Sequence, residues 1–308
     1  MHTVTRRDFC GQALAAAALA WRRSPSHAAE KAAGWDTRFC VCNELFGDWP
    51  MEKAVTLAAE CGYRGIEIAP FTIDPDVRRI GQPARQNVRR QTEQAGLTVV
   101  GLHWLLAKTT GFHLTSPDAE MRRRTADYLG DLACCCADMG GRLLIFGSPK
   151  QRNLLPGVTK ADAMRYAAEV IQRAIPVLEK TAVTLALEPL SPRTTDFLTT
   201  AAEAAALAKQ VASPRCRLHL DCLAMSTERQ PIPALLRQHR DLVHFHANDA
   251  NQQGPGFGKL DFVPILRALK EIEYQGWISV EVFDYSPGRE RLARERIAYL
   301  RKCAAVVA

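Results

Sequence analysis

What this chain of 308 residues lacks narrows its nature before any motif is read. No apolar run reaches the roughly 18 residues that a membrane-spanning helix needs. None of its 10 cysteines forms a Cys-x-x-Cys pair, which removes zinc-ribbon and dithiol redox motifs. Cys134, Cys135 and Cys136 are consecutive in an Ala/Leu-rich helical pattern, where neighbours point in different directions and pair poorly. The thiols therefore read as small buried apolar residues. Aromatic residues are only 7% of the chain, and they do not interleave with basic ones in any stripe suited to nucleic acid. The basic cluster "MRRRTAD", Met121 to Asp127, reads as a solvated helix face.

What is present is an ordinary globular composition, 47% hydrophobic, with a mean hydropathy of −0.15. The N-terminus stands apart. "TRRDFCGQALAAAALAWRR" places Arg6 and Arg7 before a short Ala/Leu run, and "SHA" at Ser26 to Ala28 reads as a small-x-small cleavage site. This resembles a twin-arginine export signal. It implies a signal over 1–28, a mature domain over 29–308, the twin-arginine machinery as a partner, and a periplasmic or extracytoplasmic location without a stable membrane anchor. Without 1–28 the net charge falls from +7 to +4, 36 basic residues against 32 acidic, too mild to argue for nucleic acid.

From residue 37 onward, short apolar runs alternate with amphipathic ones. The expected strands are "RFCVCNE", "GIEIAPF", "TVVGLHWLL", "LLIFGSP", "VTLALEPL", "CRLHLD", "LVHFHAN" and "WISVEVF". The expected helices are 51–61, 83–95, 118–139, 160–180, 199–210, 231–238, 262–273 and 289–305, with apolar spacings such as Leu129, Leu132, Ala133, Cys136. "GVTKADA" and "SPDAEMR" place Thr or Ser where a hydroxyl can cap a helix. Eight β-then-α units predict an α/β fold of the (β/α)₈ TIM barrel type. A doubly wound sheet would show a Gly-rich phosphate turn after its first strand, and "CVCNELFGDW" has none.

Alternation along the last four strands puts polar residues in one phase. Val183, Leu185 and Leu187 face the helices, so Glu188 faces in. Leu218 and Leu220 face out, and His219 and Asp221 in. Val243 and Phe245 face out, and His244 and His246 in. Ile278 and Val280 face out, and Ser279 and Glu281 in. Four strands thus deliver Glu188, Asp221, His246 and Glu281 to one rim, where catalytic groups of such barrels lie. Three carboxylates around an imidazole repel one another unless a cation joins them. One divalent metal ion is the simplest such cation, with Mn²⁺ first and Mg²⁺, Co²⁺ or Zn²⁺ also suited; the alternative is pairing with arginine or lysine from elsewhere in the chain. His219 and His244 lie deeper, as packing or hydrogen-bonding support for the ligands.

"LALEPL", "LHLDCLAM", "HFHAND…GPGFG" and "SVEVF", taken in order, resemble the sugar phosphate isomerase/epimerase family with the xylose-isomerase-like barrel, which includes ketose 3-epimerases. The resemblance spans 37–305. It implies that Glu188, Asp221, His246 and Glu281 bind one divalent metal, and that Glu188 and Glu281 are catalytic acid and base on opposite faces of a substrate carbon. The implied reaction removes a proton beside a sugar carbonyl through a metal-stabilised enediolate. Further candidates for substrate contact are Glu67, His103, Lys150, Arg152, Asp249 and Gln252.

Three positions depart from the ketose epimerase pattern. Ala224 stands where that pattern has histidine, Thr194 where it has glutamate, and Gln252 where it has arginine. The metal cage is kept while contacts to a free ketose are not, which points to another substrate such as a keto-glycoside or modified sugar. The competing readings are a 3-keto-glycoside lyase or hydrolase using the same groups, a non-catalytic sugar-binding barrel, and a three-metal nuclease, for which the histidines are too few. A homo-oligomeric state stays open.

Overall fold

The computed structural model describes residues 38–307; the segment 1–28, read as an export signal, lies outside the described residues. Eight parallel strands close into a barrel in sequence order. They are β1 (Phe39–Cys42), β2 (Gly65–Ile68), β3 (Thr98–Leu102), β4 (Leu143–Phe146), β5 (Thr184–Leu187), β6 (Cys216–Asp221), β7 (His244–Ala247) and β8 (Ile278–Val280). Closure is made by β1 against β8, with Phe39 opposite Ile278 and Val41 opposite Val280.

One long helix follows each strand: α1 (Met51–Cys61), α2 (Gln82–Gln94), α3 (Ala119–Asp138), α4 (Lys160–Thr181), α5 (Ala201–Val211), α6 (Ile232–Gln238), α7 (Phe262–Glu271) and α8 (Arg289–Val307). Every strand and helix expected from the periodicity is present. The strands are shorter than the apolar runs because each ladder stops before the rim, where the chain turns into a loop.

Burial follows the expected stripes: Leu129, Leu132, Ala133 and Cys136 of α3 are all buried. Thr159 caps α4 in a capping box with Asp162. At α3 the cap is Asp118, which accepts from Glu120 N at 2.9 Å, while Ser116 sits two residues earlier and accepts from Asp118 N. The expectation of a hydroxyl cap there is corrected, because the shorter reach to Glu120 N belongs to the carboxylate.

Two smaller expectations change as well. Arg123 and Arg124 of "MRRRTAD" are exposed, but Arg122 is buried and donates to Ser116 O and Pro117 O and to Glu169. It ties the start of α3 to α4, so this cluster is only partly a solvated face. Among the described residues the nine cysteines are free; most are buried, and Cys134 is exposed. No helix among the described residues is long and apolar enough to cross a membrane.

Candidate metal centre and active-site cavity

The rim over β5 to β8 carries the chemistry. Glu188 directly follows β5, Asp221 ends β6, His246 lies in β7 and Glu281 directly follows β8. One ligand atom from each lies within 4.8 Å of the other three, and all four residues are buried. His246 Nδ1 is 3.0 Å from Glu281 Oε2 and 3.8 Å from Glu188 Oε1, so the ring edge stands between the two glutamates. Gly147, just after β4, makes room for this: a Cβ there would overlap Glu188 Oε2.

Burial pushes the Glu188 carboxyl above its ordinary pKa. Burial, together with repulsion from Glu188 and Glu281, pushes Asp221 well above its own. Burial works against a charged His246, but Glu281 and Glu67 overcome it and hold the imidazole well above the usual value. Among the described residues, the ion pairs that Glu188 and Glu281 make are to histidines only. Among the described residues no lysine or arginine forms an ion pair with these carboxylates, although the buried Arg152 attracts Glu188; three buried carboxylates and one imidazole form a donor set that fits a divalent metal.

Asn248 braces this set. Its Nδ2 donates to Asp221 Oδ2 and, at 3.4 Å, to Glu281 Oε2, while its Oδ1 accepts from Leu223 N at 2.7 Å. The other Asp221 oxygen accepts from Ala224 N at 2.6 Å. Alternation could have found Asn248, since it continues the phase of His244 and His246 by one more step.

A second polar layer lies beneath. Glu67 of β2 is fully buried, with Oε1 2.6 Å from His244 Nε2 and Oε2 3.2 Å from His246 Nε2. Burial opposes its charge, yet the two histidines prevail and lower its pKa well below the ordinary value. Glu67 does not line the cavity above the rim residues; it faces two imidazoles from below. The His219 ring packs on His244 at 5.2 Å and edge-on to His246 at 4.2 Å between centroids. Burial holds its pKa well below the usual value, with further lowering from His246 and His244.

Above the four rim residues opens a cavity of about 250 Å³. Glu188, Asp221 and Glu281 line it, with His103, Trp104 and Phe283 on the wall. The Trp104 and Phe283 rings meet edge to face at 6.0 Å. His103 is backed by Glu44, whose Oε2 is 2.5 Å from His103 Nε2. Burial opposes a charged His103, and Glu44 outweighs it, raising the pKa. Glu44 escaped the sequence reading because it follows β1 in a short 3₁₀ turn, Asn43–Phe46, where strand alternation has ended.

The remaining candidates separate. Gln252 lines the cavity, as do Thr194 and Ala224. Lys150 is exposed and outside the lining. Arg152 is fully buried and donates to the backbone carbonyls of Glu188 and Phe146. Read as a candidate substrate contact, it lies outside the cavity lining: the loop folds inward and the guanidinium clamps the ends of β4 and β5. Asp249 is buried, accepts from Leu260 N at 2.9 Å and closes its own loop instead of meeting substrate.

Comparison with known proteins places this architecture. A probable ketose 3-epimerase from Synechocystis sp. is 26% identical over 263 residues, 80% of this chain and 88% of that protein. The crystal structure of D-psicose 3-epimerase with D-tagatose from Clostridium cellulolyticum H10 superimposes with a TM-score of 0.76 at 20% identity, covering 88% of this chain and 99% of that one. The apo crystal structure of 3-keto-D-glucoside 4-epimerase from E. coli gives 0.75 at 19% identity, covering 86% and 99%. At these identities the solved structures speak to the fold. The xylose isomerase-like TIM barrel family model matches residues 55–303, and with that span the chain belongs to the xylose isomerase-like TIM barrel family.

Proposed function

We propose that this protein is a divalent-metal-dependent sugar epimerase or isomerase that moves a proton on a carbon beside a carbonyl. The observation that carries the reading is the pair Glu188 and Glu281, which line one cavity from strands β5 and β8. Those strands are separated around the barrel by β6 and β7, so the two carboxylates approach a bound sugar from different sides. One takes the proton and the other returns one to the opposite face. Curated relatives with epimerase names, such as the Synechocystis ketose 3-epimerase, support the same class.

Glu188, Asp221, His246 and Glu281 would hold the metal, which when bound supplies positive charge at the cavity floor to favour an oxyanion. Asn248 fixes Asp221, and Glu67 fixes His246. Trp104 and Phe283 offer apolar faces to the sugar ring and help exclude water. His103, held by Glu44, offers a ring edge for a hydroxyl.

A second reading keeps the same groups and changes the outcome, to cleavage of a 3-keto-glycoside. It is favoured by Thr194, Ala224 and Gln252 at the cavity wall, where small or neutral side chains leave room beyond one sugar. Incubation of metal-loaded protein with keto-sugars and keto-glycosides in D₂O separates the two. Deuterium incorporation without bond cleavage supports epimerisation, and release of an aglycone supports cleavage. A protein that binds no divalent metal on titration would overturn both. We also propose, from Arg6, Arg7 and the "SHA" site, that the enzyme works outside the cytoplasm.

A further inference from the structure

A second hollow of about 510 Å³ adjoins the active-site cavity. The two share Ser191, Thr194, Leu223 and Gln252, so they meet at the loops that follow β5, β6 and β7. Pockets for drug-sized ligands run to about 300–1,000 Å³. The inner cavity of about 250 Å³ suits one sugar ring, and the outer hollow is about twice that size.

The chemistry of the outer lining differs from that of the inner wall. Ser226, Thr227 and Thr194 line it, and each spends its hydroxyl hydrogen on a nearby backbone carbonyl. Ser226 donates to Leu223 O at 2.7 Å, Thr227 to Ala224 O at 2.7 Å and Thr194 to Ser191 O at 2.9 Å. What these oxygens present is lone pairs, so a ligand must bring donors. Arg193 contributes N–H groups and Gln252 an amide with both functions, so the ligand must also bring acceptors. Closely spaced groups that both donate and accept describe the hydroxyls of a sugar better than an alkyl or aryl group.

The junction is rigid. Gln252 sits at φ +68, and its carbonyl accepts from Phe283 N at 2.9 Å and Asp284 N at 3.0 Å. A left-handed residue pinned twice holds the passage at a fixed width without waiting for ligand.

Resting on the epimerase or lyase reading of the inner site, we propose that the outer hollow is a second subsite that takes a further sugar unit, so that the substrate class is a keto-sugar glycosidically joined to another sugar. The test uses the full chain loaded with Mn²⁺ and unreactive probes, the methyl glycosides of glucose, maltose and cellobiose, titrated by calorimetry. One of the two disaccharides binds at least about tenfold tighter than methyl glucoside. That ratio falls toward one in Ser226→Trp and in Thr227→Trp, two exposed positions that fill the hollow by separate routes.

If neither disaccharide exceeds methyl glucoside, or if the advantage survives both tryptophans, the subsite does not exist. Deuterium exchange on 3-keto-glucose is scored separately. Exchange without a disaccharide advantage sinks the subsite and leaves the proton-transfer reading standing. An advantage without exchange on any keto-sugar does the reverse.

Discussion

His246 Nε2 lies 3.2 Å from Glu67 Oε2, while Nδ1 of the same ring faces the carboxylates of Glu281 and Glu188. The buried Glu67 thereby decides which imidazole nitrogen is left for a metal. A carboxylate behind a ligating histidine fixes ring orientation, and losing such a partner typically weakens metal binding about 10–100-fold. Glu67→Gln is expected to show that loss in a direct metal titration. Unchanged affinity would mean that the pair only fills space.

The two rim glutamates give a different signature. Glu188→Gln and Glu281→Gln each lower deuterium exchange into a keto-sugar by about 10²–10⁴-fold, the range for a lost acid or base. The measurement is made at saturating metal, so that weakened metal binding does not mimic lost proton transfer. Full exchange in Glu281→Gln would remove it from the proton-transfer pair.

How far the sequence alone reaches can be judged from these same side chains. Alternation located Glu188, Asp221, His246 and Glu281 because each lies at or just past the end of a regular strand, where a period of two still applies. Glu67 was placed facing inward on the same logic, yet its depth was not legible. Depth along a barrel depends on strand stagger, and the β2–β3 register shifts between Ile66 and Glu67. Arg152 reads as a substrate contact from sequence because nothing local records that its loop folds over β4. Asn248 continues the phase of β7 by one step and was within reach of the same logic, whereas Glu44 lies in the 3₁₀ turn after β1, where alternation no longer applies.

Metal binding is linked to protons with a definite sign. In the metal-free folded protein Glu188 and Asp221 have raised pKa values, from burial first and from carboxylate repulsion at Asp221. Their contribution favours the fold below the ordinary carboxylate range and is lost as pH rises through the raised values. A bound divalent ion displaces those protons. The gap in Tm between metal-loaded and chelator-treated protein therefore widens from acidic to mildly alkaline pH. A gap that is flat or narrows across that range contradicts the assignment of these ligands.

Arg152 carries a stability prediction. Burial pushes its pKa down to about 10 despite the attraction of Glu188, and its guanidinium satisfies two carbonyls at the ends of β4 and β5. Arg152→Met removes the donor to the Glu188 carbonyl, at about 1–3 kcal/mol, and leaves Phe146 O with the Glu188 N–H at 3.2 Å. Chemical denaturation should register the loss, together with weaker metal binding as Glu188 loses its anchor. An Arg152→Met protein of native stability would show that the clamp is idle.

The N-terminus admits its own check. Mass spectrometry of the exported protein is expected to find a chain beginning at Ala29, and Arg6→Lys with Arg7→Lys should leave the precursor inside the cell. Normal export of the double variant would sink the twin-arginine reading.

The pinned backbone at Gln252 bears on how such a protein changes over generations. Three backbone bonds hold the turn, two accepted by its carbonyl and one donated by its N–H to Asp249 O, and the side chain takes no part in them. A single codon change can therefore re-specify the mouth of the cavity without rebuilding the loop. Left-handed geometry screens the choices: unbranched polar residues such as Asn, Lys or Arg are admissible, whereas Val, Ile and Thr are penalised. Position 252 acts as a socket, and drift in substrate preference would register there before it registers in the metal ligands.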